Sequence, residues 1–310
     1  MRLDLYDKLA EIVSAENIIK NEEMSRHTTF RVGGPADYFV KIDSKSRLCR
    51  VIGLFNEEGL TMQDNYYVLG NGSNLLVADS GYQGIIISLC GEFAECRLEN
   101  SNVISAGAAC LNVAVANLAR DNALKGFEFA HGIPGSIGGA LVMNAGAYGG
   151  EMKQVVSTVY AIDENGHEAV LDREDLEFGY RTSVFKKKKY VITGCLIELE
   201  SGNRDEIQNL MDELKEKRVS KQPLEYPSAG STFKRPEGYF AGKLIEDAGL
   251  RGYSVGGAQV SEKHCGFVIN KGGASADDIF RLINDVKKKV IETSGVELSP
   301  EVILLGDFKA

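Results

Sequence analysis

An α+β fold is what this sequence predicts, from two textures that occupy different stretches of the chain and from the glycine between them. Short apolar runs interrupted by glycine, FRVGGPADYFVKI (30–42) and NYYVLGNGSNLLVADSGYQGIIISL (65–89), read as strand, turn, strand. Segments with a helical period stand apart from these, most clearly DEIQNLMDELKEKRVSKQ (205–222) and ADDIFRLINDVKKKVIETSG (276–295). Two glycine-dense stretches, 70–74 and 126–150, belong to neither texture.

Taken in order, the first residues place Leu5, Leu9, Ile12 and Val13 on one side of a short amphipathic helix. A helix over 111–120 would put Leu111, Val115 and Leu118 on one face, and VVSTVYAID (155–163) and YVITGCLIEL (190–199) return to strands. The 205–222 helix stops at Pro223, which cannot continue a helix interior. Short helices such as FAGKLIEDAGL (240–250) then alternate with strands such as CGFVINKG (265–272), and EVILLGDF (301–308) reads as a closing strand. This order suggests an N-terminal domain over 1–220, in two α+β parts of 1–95 and 96–220. A smaller α+β domain over 221–298 follows, and 299–310 returns as a strand to the first domain.

A chain of 310 residues is long enough for two or three packed cores, and 44% hydrophobic with 25% charged residues is ordinary globular composition. The formal net charge of −9 opposes a role in coating nucleic acid or an anionic membrane surface. No run approaches the about 20 apolar residues of a spanning helix, and the charged start MRLDLYDKLAEIV lacks the apolar centre of an export signal. The six cysteines show no C-x-x-C spacing and read as reduced thiols of a cytoplasmic protein; the four histidines show no metal-ligand spacing, so no metal is expected.

The loop Gly70-Asn71-Gly72-Ser73-Asn74 follows a strand, and glycine there lets backbone approach a ligand closely. The dinucleotide fingerprint requires a third glycine and then a helix; Leu75 and a further glycine-broken run stand here instead, so the loop is not of the Rossmann kind. The second stretch, His131 to Gly149, is so rich in Gly and Ala that core packing does not explain it. Together the two suggest a backbone-lined cleft for an extended pyrophosphate ligand, although each alone also fits tight turns in a β-rich domain.

Seven motifs sharpen that reading: HTTFRVGGPAD (27–37), VLGNGSNLL (68–76), GIPGSIGGALVMNAGAYGGE (132–151), FGYRTSVFK (178–186), AGSTFKRP (229–236), AGKLIEDAGLRG (241–252) and SPEVILLGDF (299–308). In this order they resemble the UDP-N-acetylenolpyruvoylglucosamine reductase family over nearly the whole chain. The short stretch after FGYRTSVFK resembles its shorter subtype, which lacks an extra tyrosine-bearing loop. The resemblance implies a two-part FAD-binding domain of the vanillyl-alcohol oxidase / p-cresol methylhydroxylase type plus a smaller α+β substrate-binding domain. It implies FAD, non-covalently held, NADPH as hydride donor, and UDP-N-acetylglucosamine-enolpyruvate as the substrate reduced to UDP-N-acetylmuramate.

Residue by residue, the resemblance implies FAD contacts at Gly70, Asn71, Gly72, Ser73, Asn74 and Leu75, at Gly132, Ile133, Pro134, Gly135, Ser136, Gly138, Gly139, Ala145 and Gly146, and at Arg218. It implies a catalytic set of Arg181, Ser231 and Glu301. A guanidinium forks onto a carboxylate and stays charged at any working pH, a hydroxyl can protonate a strongly basic carbanion, and a protonated carboxyl can donate to an enolate. Tyr148, Tyr180, Lys221, Arg235 and His264 fall where the family holds the UDP-sugar, with His264 departing from the glutamine of other members. By residue type alone Arg181 is also a surface arginine beside Lys186–Lys189, Ser231 a Gly-Ser turn residue, and Glu301 a strand-start carboxylate. An oxidase or dehydrogenase of another substrate on the same FAD fold, or a non-catalytic nucleotide-binding protein, would account for the glycine loops but not for this trio.

Overall fold

The computed structural model describes residues 3–308. Helix α1 (Leu3–Val13) buries Leu5, Leu9 and Val13. Strands β1 (Ile18–Glu23) and β2 (Pro35–Ile42) follow, then α2 (Lys45–Glu57), whose Leu48, Val51, Ile52 and Phe55 repeat at the helical period and are buried. Next come β3 (Tyr66–Leu69), β4 (Leu75–Val77), β5 (Tyr82–Leu89), β6 (Cys96–Leu98), β7 (Val103–Gly107), α3 (Asn112–Asp121), β8 (Leu124–Lys125) and α4 (Ile137–Met143). The chain continues through β9 (Gly146–Ala147), β10 (Gly150–Glu151), β11 (Val156–Ile162), β12 (Glu168–Asp172), β13 (Val191–Glu198), β14 (Glu200–Ser201) and α5 (Arg204–Lys221). It ends with α6 (Ala241–Asp247), β15 (Ser254–Val255), β16 (Ala258–Val260), β17 (Val268–Asn270), α7 (Ala276–Ser294) and β18 (Ile303–Leu305). The architecture is α+β.

The described chain divides into two compact units, residues 3–20, 38–71 and 84–217 in one and 21–37, 72–83 and 218–308 in the other. The C-terminal unit resumes at Arg218, and two short N-terminal segments, 21–37 and 72–83, join it. The first unit contains a sheet of order β1-β2-β5-β3, in which β3 and β5 run parallel from Tyr66↔Ile85 to Leu69↔Ser88. Val40, Ile42, Ile85 and Ile87 of that sheet pack with the apolar faces of α1 and α2. Phe55 and Tyr66 meet at a centroid distance of 4.9 Å, a geometry that adds about 0.5–1.5 kcal/mol to their area burial.

A second core of the same unit lies on the sheet β12-β11-β13-β7-β6, whose neighbours are all antiparallel. Helices α3 and α4 contribute Val115, Ala116, Ala119, Ile137, Ala140 and Leu141 to it. Two expectations are corrected here. The inward face of α3 is Asn112, Val115, Ala116 and Ala119, while Leu111 precedes the helix and is exposed. The glycine-rich stretch also does pack, since Ile137 and Leu141 of α4 are wholly buried. Interspersed large apolar residues give it a helix that glycine content alone conceals.

The second unit is built on the three-stranded antiparallel sheet β15-β16-β17 and on α7, whose Ile279, Leu282, Ile283, Val286 and Val290 are all buried. Strand β18 pairs in parallel with β4, Ile303↔Leu75 to Leu305↔Val77. Only these three residues of EVILLGDF are strand, and of FRVGGPADYFVKI only the part from Pro35 is. Gly81, at φ +83°, packs so tightly that a Cβ there would stand 1.8 Å from Pro35 O, which no side chain tolerates.

Helix α7 starts with a reciprocal box in which Ser275 Oγ accepts from Asp278 N–H and Asp278 Oδ2 from Ser275 N–H. The Asp79 carboxylate accepts from the next two donors, Ala276 N–H and Asp277 N–H, each at 2.8 Å. Four otherwise orphaned or end-of-helix donors are thereby satisfied, and residues 72–83 are tied to α7. Asp79→Ala is expected to cost about 1–2 kcal/mol, the scale of a lost helix cap. It should appear as a lower urea midpoint, with Asp79→Asn intermediate; an unchanged midpoint for the alanine variant would show that the Ser275 box suffices.

Candidate active site

The glycine loop after β3 passes from one unit to the other between Asn71 and Gly72. Its two glycines serve different ends. A Cβ on Gly72, at φ +60°, would collide with His27 O at 1.9 Å, so internal packing of the second unit demands that glycine. A Cβ on Gly70 would meet Ser136 Oγ at 2.9 Å and otherwise only the Gly139 backbone at 4.0 Å. Gly70 thus opens a small concavity towards the second glycine loop.

That loop is held from below by α3. Asn112 N–H donates to Gly135 O at 3.1 Å and its Nδ2 to Ile133 O at 3.3 Å, while Ile137 and Gly138 N–H donate to Cys110 O and Ala108 O. Asn112 is 1% exposed and Ser136 4% exposed, and neither Asn112 Oδ1 nor Ser136 Oγ has a hydrogen-bond partner among the described residues. A buried, unpaired hydroxyl beside a Cβ-free concavity fits a polar ligand laid along the loop, because such a group costs about 1–3 kcal/mol if left unmet. Asn112 carries no glycine-loop signal in the sequence; only its burial at the start of an otherwise apolar helix face sets it apart.

Arg181 lies in a tight hairpin of the first unit. Gly179 and Thr182 exchange two backbone hydrogen bonds, leaving Tyr180 and Arg181 at the tip. Arg181 has φ +54°, a left-handed conformation that costs a non-glycine residue of order 1–3 kcal/mol and marks functional sites disproportionately. The guanidinium stands 5.3 Å from the centroid of the exposed Tyr180 ring. The Arg181 carbonyl accepts from Lys186 Nζ, and Lys186 to Lys189 are all exposed. Tyr148 occupies the two-residue turn between β9 and β10 with Gly149, both at positive φ (+54° and +91°), the conformation of a type I′ hairpin. Its ring is exposed.

Ser231 and Glu301 come together in the second unit, 70 positions apart in sequence. Phe233 and Pro300 form an antiparallel bridge, Lys234 N–H donates to Ser299 O, and Glu301 N–H donates to Thr232 O at 2.8 Å. Thr232 is wholly buried; its N–H donates to Gly266 O and its hydroxyl accepts from Val268 N–H. Asn74 Nδ2 donates to Glu301 O at 3.1 Å, and Ile303 N–H donates to Asn74 O. The two segments are therefore pinned side by side with Ser231 exposed and Glu301 half-buried.

His264 closes the same region. Gly266 N–H donates to its Nδ1 at 3.1 Å, which assigns the proton of the neutral ring to Nε2, and its ring packs edge-on to Phe267 at 5.1 Å. Burial and, secondarily, the Arg251 charge hold its pKa below 6.5. Arg235 lies with its guanidinium 4.0 Å from the Phe240 centroid and donates from Nε to Tyr239 O. Lys221 ends α5 fully exposed, and Arg218 is half-buried one turn earlier. Among the described residues no three His, Cys, Asp or Glu side chains converge as a metal site requires, and no helix is long and apolar enough to cross a membrane.

The pattern of an FAD binding domain matches residues 36–172, the part that carries the Gly70–Ser136 concavity, and this makes the chain an FAD-dependent oxidoreductase. The pattern of the UDP-N-acetylenolpyruvoylglucosamine reductase C-terminal domain matches residues 222–305. Proteins named UDP-N-acetylenolpyruvoylglucosamine reductase from Caldanaerobacter subterraneus subsp. tengcongensis and Clostridioides difficile are 48% and 49% identical to this chain, each over 98% of both sequences. The crystal structure of UDP-N-acetylenolpyruvylglucosamine reductase from Thermus caldophilus superposes with a TM-score of 0.79 at 34% identity, covering 93% of this chain and 98% of that one. The chain belongs to the UDP-N-acetylenolpyruvoylglucosamine reductase family.

Two outcomes test the site as built. Ser136→Ala should weaken FAD binding about tenfold, the effect of one hydrogen bond near 1.4 kcal/mol, in fluorescence titration of the apoprotein. Apoprotein stability should not fall, since Ser136 Oγ has no hydrogen-bond partner among the described residues; a weaker fold with unchanged FAD affinity would contradict the assignment. For His264, a depressed folded-state pKa means that the unfolded chain binds the proton more tightly. Its contribution to stability is complete above about pH 6.5 and is lost as pH falls through the lower folded-state value. His264→Gln should therefore lose less stability than the parent between pH 7.5 and 5.5 in matched thermal melts; parallel losses would reject the linkage.

Proposed function

We propose that this protein reduces the enolpyruvyl ether of UDP-N-acetylglucosamine-enolpyruvate to UDP-N-acetylmuramate, with NADPH as the source of reducing equivalents, in the cytoplasmic assembly of peptidoglycan precursors. The observation that carries the reading is the pinning of Ser231 beside Glu301 through Thr232. An FAD oxidoreductase of a simple alcohol has no need of a hydroxyl and a carboxyl fixed together on a separate unit, whereas hydride addition to an alkene must be completed by a proton on carbon.

Gly70, Asn71 and the 132–146 loop would hold FAD, which would supply hydride chemistry for the terminal alkene carbon with reducing equivalents drawn from NADPH. The remaining chemistry belongs to the chain. Negative charge developing on the adjacent carbon spreads into the substrate carboxylate, and Arg181 is the cation assigned to it, a planar donor pair that needs no change of protonation. Ser231 donates the proton to that carbon, and the Glu301 carboxyl hydrogen-bonds the enolate as it forms. The net change is one hydride and one proton added across the double bond, with NADPH oxidised to NADP⁺. Lys221 and Arg235 are assigned to the diphosphate, Tyr148, Tyr180 and His264 to the rest of the UDP-sugar, and Arg218 to FAD phosphate. Exposure of Lys221, Arg235, Tyr148 and Tyr180 leaves them able to meet a ligand. A neutral His264 with its proton on Nε2 suits hydrogen bonding to sugar or base better than pairing with phosphate.

The two half-reactions separate the roles. Mixed anaerobically, NADPH should bleach the bound flavin and the enolpyruvyl UDP-sugar should restore it. Ser231→Ala should leave the bleaching rate within about twofold while slowing the restoration by at least the roughly 10²–10⁴-fold that a positioned proton donor contributes. Ser231→Cys should retain more activity than alanine. Equal slowing of both half-reactions would indicate a general defect, and slowing of neither would return Ser231 to the status of a turn residue.

A further inference from the structure

Arg181 is held in a conformation its own residue type disfavours, at the tip of a hairpin closed by two cross-strand hydrogen bonds between Gly179 and Thr182. Such a conformation persists where the surrounding structure fixes it. The neighbouring element is the C-terminal end of α4. Ser183 is wholly buried and donates from Oγ to Val142 O at 2.8 Å, fixing the outgoing strand. Asn144, the residue that terminates α4, fixes the incoming one: its Nδ2 donates to Gly179 O at 3.1 Å.

Asn144 makes three hydrogen bonds through one amide. Besides Gly179 O, Nδ2 donates to Glu151 Oε2 at 2.8 Å, and Oδ1 accepts from Lys153 N–H at 2.9 Å. The side chain is 1% exposed, and the backbone sits at φ 42°, ψ 55°, a left-handed helix end that asparagine tolerates better than other non-glycine residues. Glu151 is itself locked by a reciprocal capping interaction with Gln154. Gly179 O also receives Thr182 N–H, so the amide of Asn144 and the turn bond share one acceptor at the base of the tip. The helix that follows Ser136 thereby grips both strands of the Arg181 hairpin.

We infer that Asn144 is the positioning residue for Arg181: its amide, anchored by Glu151 and Lys153, holds the Gly179 carbonyl and so sets where the guanidinium stands. The inference rests on Arg181 serving as the cation for the substrate carboxylate. Asn144 touches neither ligand in this role, and it acts only through the hairpin. A shift of about 1 Å in such a group can cost 10²-fold in rate.

The test uses the FAD-loaded full chain. Asn144→Gly keeps the left-handed backbone without steric cost and removes the amide; Asn144→Asp keeps the shape and the acceptor for Lys153 N–H but replaces the donor. Both should retain FAD stoichiometry and bleach with NADPH at the parent rate, yet slow re-oxidation by the enolpyruvyl UDP-sugar by roughly 10–100-fold. Affinity of the oxidised protein for UDP-N-acetylmuramate, which bears the carboxylate, should fall relative to UDP-N-acetylglucosamine, which does not. In an Arg181→Ala background, Asn144→Gly should cause no further loss in either measurement. Losses that multiply in the double variant, an unshifted carboxylate preference, or parent-like Asn144→Asp would each overturn the inference. So would loss of FAD from both Asn144 variants, since that would make the residue a fold determinant. If Arg181→Ala alone leaves re-oxidation and carboxylate preference intact, the arginine's assignment fails instead, and the two failures are distinct.

Discussion

The second unit depends on one buried residue, Thr232. Its three hydrogen-bonding groups are each used once, N–H to Gly266, hydroxyl to Val268 N–H, carbonyl to Glu301 N–H. Backbone groups withdrawn from water must be paired, and here the pairs join three segments distant in sequence. The consequence is functional as well as structural. The backbone beside Ser231 is held to Glu301 by the bond from Glu301 N–H to Thr232 O, and His264 is drawn into the same network through Gly266.

The first unit solves a different problem with the same means. Its glycine loops leave backbone accessible, at the cost of side chains that would otherwise hold them. The support comes from beneath, from Asn112 on α3 and from the Ala108–Cys110 carbonyl row that receives the start of α4. Left-handed non-glycine residues stand in and beside the second loop and at the nearby hairpin tip, at Asn144, Tyr148 and Arg181. Backbone conformations of this kind persist only where the surroundings leave no alternative.

Charge plays a smaller part in stability than in function. Most ion pairs are between exposed groups, such as Lys243–Asp247 and Arg251–Glu246, where solvent screening leaves little net energy. All six cysteines are free thiols, and burial raises that of Cys195 to about 12, so it is inert under ordinary conditions.

The amino-acid sequence by itself determined the elements whose pattern is local. Amphipathic helices such as α2 and α7 were legible because their apolar residues recur at the helical period, and α5 ended where Pro223 forbids continuation. The motifs around Gly70, Ser136, Arg181, Ser231 and Glu301 were legible as a family resemblance. What the tertiary structure alone decided is everything that depends on distant partners. Gly72 is glycine because His27 O lies beneath it, residues 72–83 belong with the C-terminal core because β18 and α7 complete their hydrogen bonds, and residues 21–37 because Phe30 and Val32 pack into that core and Asn270 Nδ2 donates to Phe30 O. Helix α4 was hidden in a glycine-rich run because two buried side chains, not propensity, stabilise it, and Asn112 and Asn144 carry no local mark of what they hold. Periodicity reports which face of an element will be buried; it carries no record of which carbonyl will be waiting there.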